Sequence, residues 1–260
     1  MTRVIHNLPA RGRVVRGIRE FFHQRGYLEV ETPSLIRIPS MEPHIDPFAV
    51  VDNDGYQYLR TSPEYALKKC LSKGLRNLFT IGPCFRNEPR SRLHHPEFTM
   101  LEWYASNRSL FELMDETEAL VRSLWEQLDK PEITRNDQSM LLDQAFQRLS
   151  VSEAWMATLG FCPIEAHTYQ ALADVAKAQG LRFSSGHECY DTLFHQLFLN
   201  YIEPELGQKA PTFLWGWPAS QAALARLSPD DPRVALRFEL YAGGLELANA
   251  FDELTDPHEQ

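Results

Sequence analysis

The chain has 260 residues, 43% apolar and 23% charged, which places it with ordinary globular proteins and allows a large core in one domain, or in one domain carrying an insertion. Its 26 lysines and arginines against 35 acidic residues leave −9 with the histidines neutral, so no global positive field draws it onto a nucleic acid backbone. The amino-terminal MTRVIHNLPARGR lacks the apolar core of a signal peptide, and no run approaches the roughly 18 apolar residues of a bilayer span, so the cytoplasm is the expected compartment.

In chain order, RGRVVRGIREFFHQRG sets Val14, Val15, Ile18, Phe21 and Phe22 on one stripe of a helix that Gly26 is placed to end. YLEVETP reads as a strand running into Pro33, and Ile36 to Gln57 as loops and short strands. TSPEYALKKCLSKG predicts a short helix with Pro63 at its start and Gly74 past its end. LFTIGPCF and EFTMLEWYA read as strands whose charged connection is the loop of a long hairpin. Ser109 and Glu112 form a capping-box pattern, and Leu113, Met114, Leu120, Val121, Leu124 and Leu128 give the following helix its stripe. From about 130 to 209 the pattern changes to short amphipathic helices, QSMLLDQAFQRL and YDTLFHQLFLNYI among them, without a cluster of catalytic groups, and reads as a helical insertion. Strand character returns in PTFLWGW and in VALRFELYAGGLELANAF, where Gly243 and Gly244 predict a hairpin turn. Helical segments between hairpin strands predict a mixed α+β domain on a largely antiparallel sheet.

Cys70, Cys84, Cys162 and Cys189 are widely spaced and read as buried free thiols. The nine histidines show no zinc-ligand spacing, and the usual phosphate-binding glycine motifs are missing, so any use of ATP needs another architecture. The richest polar chemistry lies in FRNEPRSRLHHPEFTMLEWY, Phe85 to Tyr104. Alternation puts Phe98, Met100, Glu102 and Tyr104 on one face of a strand and Thr99, Leu101 and Trp103 on the other, while Arg86 and Glu88 share a face of the incoming strand. Such a hairpin presents an arginine fork for a phosphate, a ring for a base and carboxylates for an amine. A solvated hairpin whose arginines and glutamates pair across strands, each pair contributing well under about 1 kcal/mol, fits the pattern equally well.

FRNE, a loop and HHPEFTMLEWY together resemble motif 2 of the class II aminoacyl-tRNA synthetases in its lysyl form. RGYLEVETP resembles motif 1, with Pro33 as its proline, which forms the homodimer interface in that family. LELANAFDELTDPHEQ resembles the lysyl-specific segment that supplies acidic residues. The likeness runs from about Arg11 to Gln260, and TSPEYALKK, HHPEFTMLEWY and PASQAALARL are most similar to the branch that ligates β-lysine to elongation factor P. The resemblance implies a class II synthetase-like antiparallel sheet flanked by helices over residues 1–260. It also implies ATP and Mg²⁺, lysine or β-lysine as substrate, and elongation factor P as acceptor. The alternatives are a lysyl-tRNA synthetase catalytic core and a non-catalytic regulatory paralogue.

By the same resemblance Arg86 is the catalytic residue, holding the α-phosphate and neutralising charge as the substrate carboxylate attacks. Asn87, Glu88, His94 and His95 join it at ATP, Phe98 stacks on adenine, and Glu246 and Leu247 complete the nucleotide contacts. Ser62, Pro63, Glu64, Glu102, Tyr104, Asn249 and Glu253 are implied for the amino acid, and Glu246 with Glu253 for the metal. Glu64 also sits where a capping-box glutamate would reach back to Thr61. Glu246 and Glu253 fall on opposite faces of an uninterrupted strand, so a turn or bulge is expected near Ala250. His95 stands where the family usually has asparagine, and Ala250 where it has glycine. Residues before Arg11 are too few for the family's anticodon-binding barrel, so tRNA is not an expected partner. Family members continue past such a segment into motif 3, whose arginine covers the far side of adenine. The sequence ends at Gln260, so a C-terminally truncated domain with weak ATP binding is expected.

Overall fold

The computed structural model describes residues 2–39, 45–53, 55–135, 138–140, 142–183 and 189–260, which form two compact units, Met1–Arg108 and Ser109–Gln260. In the first, α1 (Thr2–Gln24) runs back through Pro9, beyond the stretch whose pattern predicts it. Ile18, Phe21 and Phe22 are buried on its inner side. The helix ends where Gly26 takes φ +76° and the Tyr27 amide donates to the Phe22 carbonyl (3.0 Å), a closure only a left-handed residue allows cheaply. The strand expected in YLEVETP is only β1 (Leu28–Glu29). Ladder bonding ends after Val30, and the carbonyls of Thr32 and Pro33 instead accept from the Arg60 guanidinium.

Strands β2 (Leu35–Ile36), β3 (Ala49–Asp52) and β4 (Gly55–Leu59) make a small antiparallel sheet in the order β2-β4-β3. Ser40 to His44 and Asp54, within the stretch read as loops and short strands, lie outside the described residues. Helix α2 (Glu64–Ser72) precedes the expected hairpin, β5 (Leu78–Phe85) and β6 (Glu97–Tyr104), which pair antiparallel from Leu78 opposite Tyr104 to Phe85 opposite Glu97. β1 adds to β5 in parallel. Phe22 of α1 stacks on Phe79 (4.9 Å between centroids) and meets Trp103 at 5.4 Å, so the helix covers the back of the hairpin. Burial of each such phenylalanine contributes roughly 1.5–3 kcal/mol and leaves the front face for chemistry.

The second unit opens with α3 (Leu110–Gln127), whose capping box is the expected one: the Ser109 amide donates to Glu112 (2.8 Å), and Ser109 Oγ accepts from the Glu112 amide. The hairpin β7 (Ile133–Arg135) and β8 (Gln138–Met140) follows. QSMLLDQAFQRL is therefore not a helix: its start is β8, its end is β9 (Gln147–Ser150), and Leu141 lies outside the described residues. The carbonyls of Leu142 and Gln144, which a helix would aim at amides one turn on, instead accept from Arg122. Met140, Leu142 and Phe146 are buried against Phe213 and Phe238.

Helices α4 (Val151–Leu159), α5 (Tyr169–Ala178) and α6 (Tyr190–Leu197) come next, with a π-helical turn over Phe198–Ile202. The region read as a helical insertion is thus mixed. Strands β10 (Thr212–Pro218), β11 (Val234–Ala242) and β12 (Leu245–Phe251) complete a sheet in the order β12-β11-β10-β9, parallel only between β9 and β10. Gly243 and Gly244, at φ +59° and +69°, make the two-residue turn between β11 and β12. One face of the sheet packs Phe213, Phe238 and Leu240 against α3, and the other packs Leu214, Trp217 and Tyr241 against α4, α5 and α6. All four cysteines are free thiols, but only Cys84 is buried; Cys70 and Cys162 are half-buried and Cys189 is exposed, so the expectation of buried thiols holds at Cys84 alone.

Candidate active site

On the front of the β5–β6 hairpin, alternation aligns Cys84, Phe98, Met100, Glu102 and Tyr104, opposite the face that Phe79 and Trp103 turn to α1. Arg86 extends the ladder by one pair, its amide donating to the Pro96 carbonyl (2.9 Å), and its guanidinium carbon lies 5.3 Å from the Phe98 ring centroid. Its Nε is buried without a hydrogen-bond partner among the described residues. Leaving such a donor unsatisfied costs roughly 1–3 kcal/mol, so the group is poised for an anionic acceptor, and a phosphate oxygen fits it. The Tyr104 hydroxyl donates to Glu102 (3.0 Å). Burial pushes the Cys84 thiol up, and the charges of Arg60, Glu102 and Arg86 all act on it, which places the three groups around one point of the sheet.

Arg60, absent from the sequence-predicted set, holds this arrangement together. It is only 3% exposed and donates to the carbonyls of Pro83 (2.9 Å) and Thr32 (2.8 Å) and to the Thr32 hydroxyl, while its own carbonyl accepts from the Phe85 amide (2.9 Å). A Cβ on Gly82 would come within 2.4 Å of its Nη2, so glycine there makes room for the clamp. Two residues on, Ser62 Oγ accepts from the Glu64 amide (3.1 Å), and Pro63 is the buried N-cap of α2. Glu64 is therefore the first helical residue rather than the third. It cannot close a capping box onto Thr61 and instead accepts from Lys68 (2.7 Å).

In the loop beyond Arg86, the Asn87 amide donates to the Asp46 carbonyl (2.8 Å) and Glu88 is half-buried. His94 is exposed in a tight turn, its amide donating to Ser91 Oγ (2.9 Å) and its Nδ1 3.2 Å from the same oxygen; His95 is exposed.

The remaining sequence-predicted residues lie in the second unit. Leu240 pairs with Ala248 but Tyr241 with Glu246, so Leu247 is an extra residue in β12. The expected bulge exists, but at Leu247 rather than near Ala250, which pairs regularly with Phe238 in extended backbone where glycine has no advantage. The bulge changes the parity of the strand. Glu246, opposite Tyr241, and Asn249, opposite Glu239, now share a face, and alternation carries that face to Glu253, which bridges to Ala225. Leu247 is 53% exposed and lines a cavity of about 310 Å³ with Leu245, Ala242, Arg135 and Met140.

Beneath Asn249 runs a polar network that sequence reasoning missed. Glu239, 4% exposed, accepts from Arg237, from the Tyr241 hydroxyl and from Asn249 Nδ2 (3.4 Å). Arg237 also donates to the Gln221 carbonyl (3.0 Å), and Gln221 Nε2 to Asp191 at the start of α6 (2.6 Å). Burial, then the Glu239 charge, pushes the Tyr241 phenol far up and holds the Glu203 carboxyl above its ordinary range. The available signal was RFELY, a strand whose charged residues point toward its packed side.

The family model of tRNA synthetases class II (D, K and N) matches residues 2–260. The chain belongs to that class II synthetase family. A protein of Vibrio cholerae named "Elongation factor P--(R)-beta-lysine ligase" is 41% identical to it over 100% of this chain and 77% of its own length. Proteins of the same name from Klebsiella pneumoniae and Proteus mirabilis are 40% and 38% identical over 98% of this chain and 76% of theirs. Paired carboxylates on one strand face, completed by phosphate oxygens, fit the oxygen-only, octahedral demand of Mg²⁺.

Proposed function

We propose that the chain is an ATP-dependent ligase that activates lysine or β-lysine as its adenylate and transfers it to a lysine of elongation factor P. The observation that carries this reading is the front of the β5–β6 hairpin, where Arg86, with its unsatisfied Nε, shares a face with Phe98, Glu102 and Tyr104. The three named relatives support the choice of amino acid and acceptor. Arg86 binds the α-phosphate and stabilises the charge that develops as the carboxylate attacks, Phe98 stacks on adenine, and Asn87, Glu88, His94, His95 and Leu247 add nucleotide contacts. Ser62, Pro63, Glu64, Glu102, Tyr104, Asn249 and Glu253 hold the amino acid, with Tyr104 fixing the Glu102 carboxylate by its hydrogen bond. Glu246 and Glu253 hold Mg²⁺, which when bound neutralises phosphate charge. The working unit is a cytoplasmic homodimer through the motif 1 region.

Carboxylates at Glu64, Glu102 and Glu253 favour a diamino acid over a neutral or acidic one. ATP–pyrophosphate exchange with a panel of amino acids, followed by mass analysis of elongation factor P, tests the proposal. The expected result is exchange with lysine or β-lysine and a mass gain of one such residue on the factor. Equal exchange with aspartate would refute the substrate choice, and charging of tRNA without any gain on the factor would favour a lysyl-tRNA synthetase core.

A further inference from the structure

We propose that Glu239 is a positioning residue that fixes the side-chain amide of Asn249 in the orientation needed by the amino acid substrate. The inference rests on the ligase reading above for what Asn249 contacts, and on the second unit alone for its geometry. Glu239 and Asn249 are directly opposed across β11 and β12, and Asn249 Nδ2 donates to Glu239 Oε1 (3.4 Å). The other end of the amide is set as well, because Arg237 Nε donates to Asn249 Oδ1 (3.3 Å). Arg237 cannot turn away easily: its remaining nitrogens serve Glu239 and the Gln221 carbonyl, and its guanidinium carbon lies 4.4 Å from the Trp217 ring centroid.

An asparagine amide is nearly symmetrical in shape and ordinarily turns over at little cost. Here a turn of half a revolution would set the amide NH₂ against a guanidinium N–H and the amide oxygen against a carboxylate. Both contacts are repulsive, so one orientation is selected. The exposed side of Asn249 then always offers one N–H and one carbonyl lone pair to a ligand. The bulge at Leu247 sets this amide on the same face as Glu246 and Glu253. Glu239 is itself out of reach of solvent, so it acts through Asn249 rather than on substrate.

The test uses the full chain with Glu239→Gln, Asn249→Ala and the double variant, plus Arg237→Lys, which keeps a cation for Glu239 but removes the guanidinium donor to Asn249. In pyrophosphate exchange, Glu239→Gln and Asn249→Ala should each raise the KM for lysine or β-lysine about tenfold, with the KM for ATP within about twofold of the parent. The double variant should be no worse than Asn249→Ala alone, since the two residues act as one unit. In ¹⁵N-labelled protein the Asn249 side-chain amide resonance, assigned by its loss in Asn249→Ala, should move in Glu239→Gln and in Arg237→Lys. Effects that multiply in the double variant, a parallel rise in both KM values, or an Asn249 resonance that stays in place would each overturn the proposal. Should the parent chain show no exchange with any amino acid even at saturating ATP, the ligase reading fails. The amide resonance then decides the positioning role on its own, and Arg237→Lys does so if Glu239→Gln does not fold.

Discussion

Arg86 has the surroundings that define a chemical role most narrowly, with a buried Nε lacking an acceptor beside an aromatic ring, on a strand face that carries Glu102 and Tyr104. Little in the fold depends on its side chain, so Arg86→Ala should leave the melting temperature nearly unchanged. Pyrophosphate exchange should fall by at least about a hundredfold, the scale typical of removing a transition-state charge partner. Exchange retained within a few-fold of the parent would remove Arg86 from the chemistry. The motif 2 residues were legible because a hairpin with strict alternation turns sequence parity directly into a shared face. Arg60 and Glu239 were not, since a charged residue just past a strand end, or one that alternates with apolar residues along a strand, reads as solvent-facing until the partners that bury it are known. The cap role read for Glu64 failed for a related reason: it depended on which residue begins α2, and Pro63, not Thr61, is that boundary.

At the scale of elements, the caps and turns were the most legible features and the connections the least. Ser109 and Gly243–Gly244 act locally, so their roles follow from residue type. QSMLLDQAFQRL has a helical pattern, yet Arg122, distant in sequence, takes the carbonyls a helix would need. A second capping box at Ser150 and Glu153 starts α4 and makes a pH-dependent prediction. The hydroxyl and amide of Ser150 hold the Glu153 carboxyl below its ordinary 4.5. A depressed carboxyl adds stability that is complete above the unfolded pKa and is lost as pH falls through the folded one. Ser150→Ala should therefore cost about 0.5–2 kcal/mol at neutral pH, with the gap to the parent narrowing below 4.5 in thermal melts. A gap that does not change would mean that the hydroxyl caps only the backbone. Between the α6 region and the sheet, Gly207 at φ +68° leaves 2.6 Å from a built Cβ to the Tyr241 carbonyl oxygen. Gly207→Ala should lower stability by more than about 2 kcal/mol in urea unfolding, because a backbone atom cannot swing aside. A loss under about 0.5 kcal/mol would show that the turn relaxes at little cost.

For the whole molecule, the fold class was readable because three motifs recur in the order of a known family, and the match over residues 2–260 agrees with that reading. The formal charge of −9 sets an expectation for partners. At about 0.15 M salt, transfer RNA should not be retained in a gel shift, since counterion release needs several basic contacts to drive binding. Micromolar retention would show a local basic surface that overrides the global charge. The extra residue at Leu247 takes up one position of β12, so that Glu246, three residues before Asn249, emerges on the same side as Asn249 and Glu253. In the gene this makes one codon unusual. A missense change at Leu247 alters a half-exposed side chain, and even an in-frame loss of that codon would leave Ala248 opposite Leu240 and the following residues on their present faces, whereas loss of a codon from the regular ladder after it would turn the residues beyond the gap to the opposite face. Inheritance along this lineage should therefore tolerate varied residues, or a gap, at position 247 and purge a gap between Asn249 and Phe251.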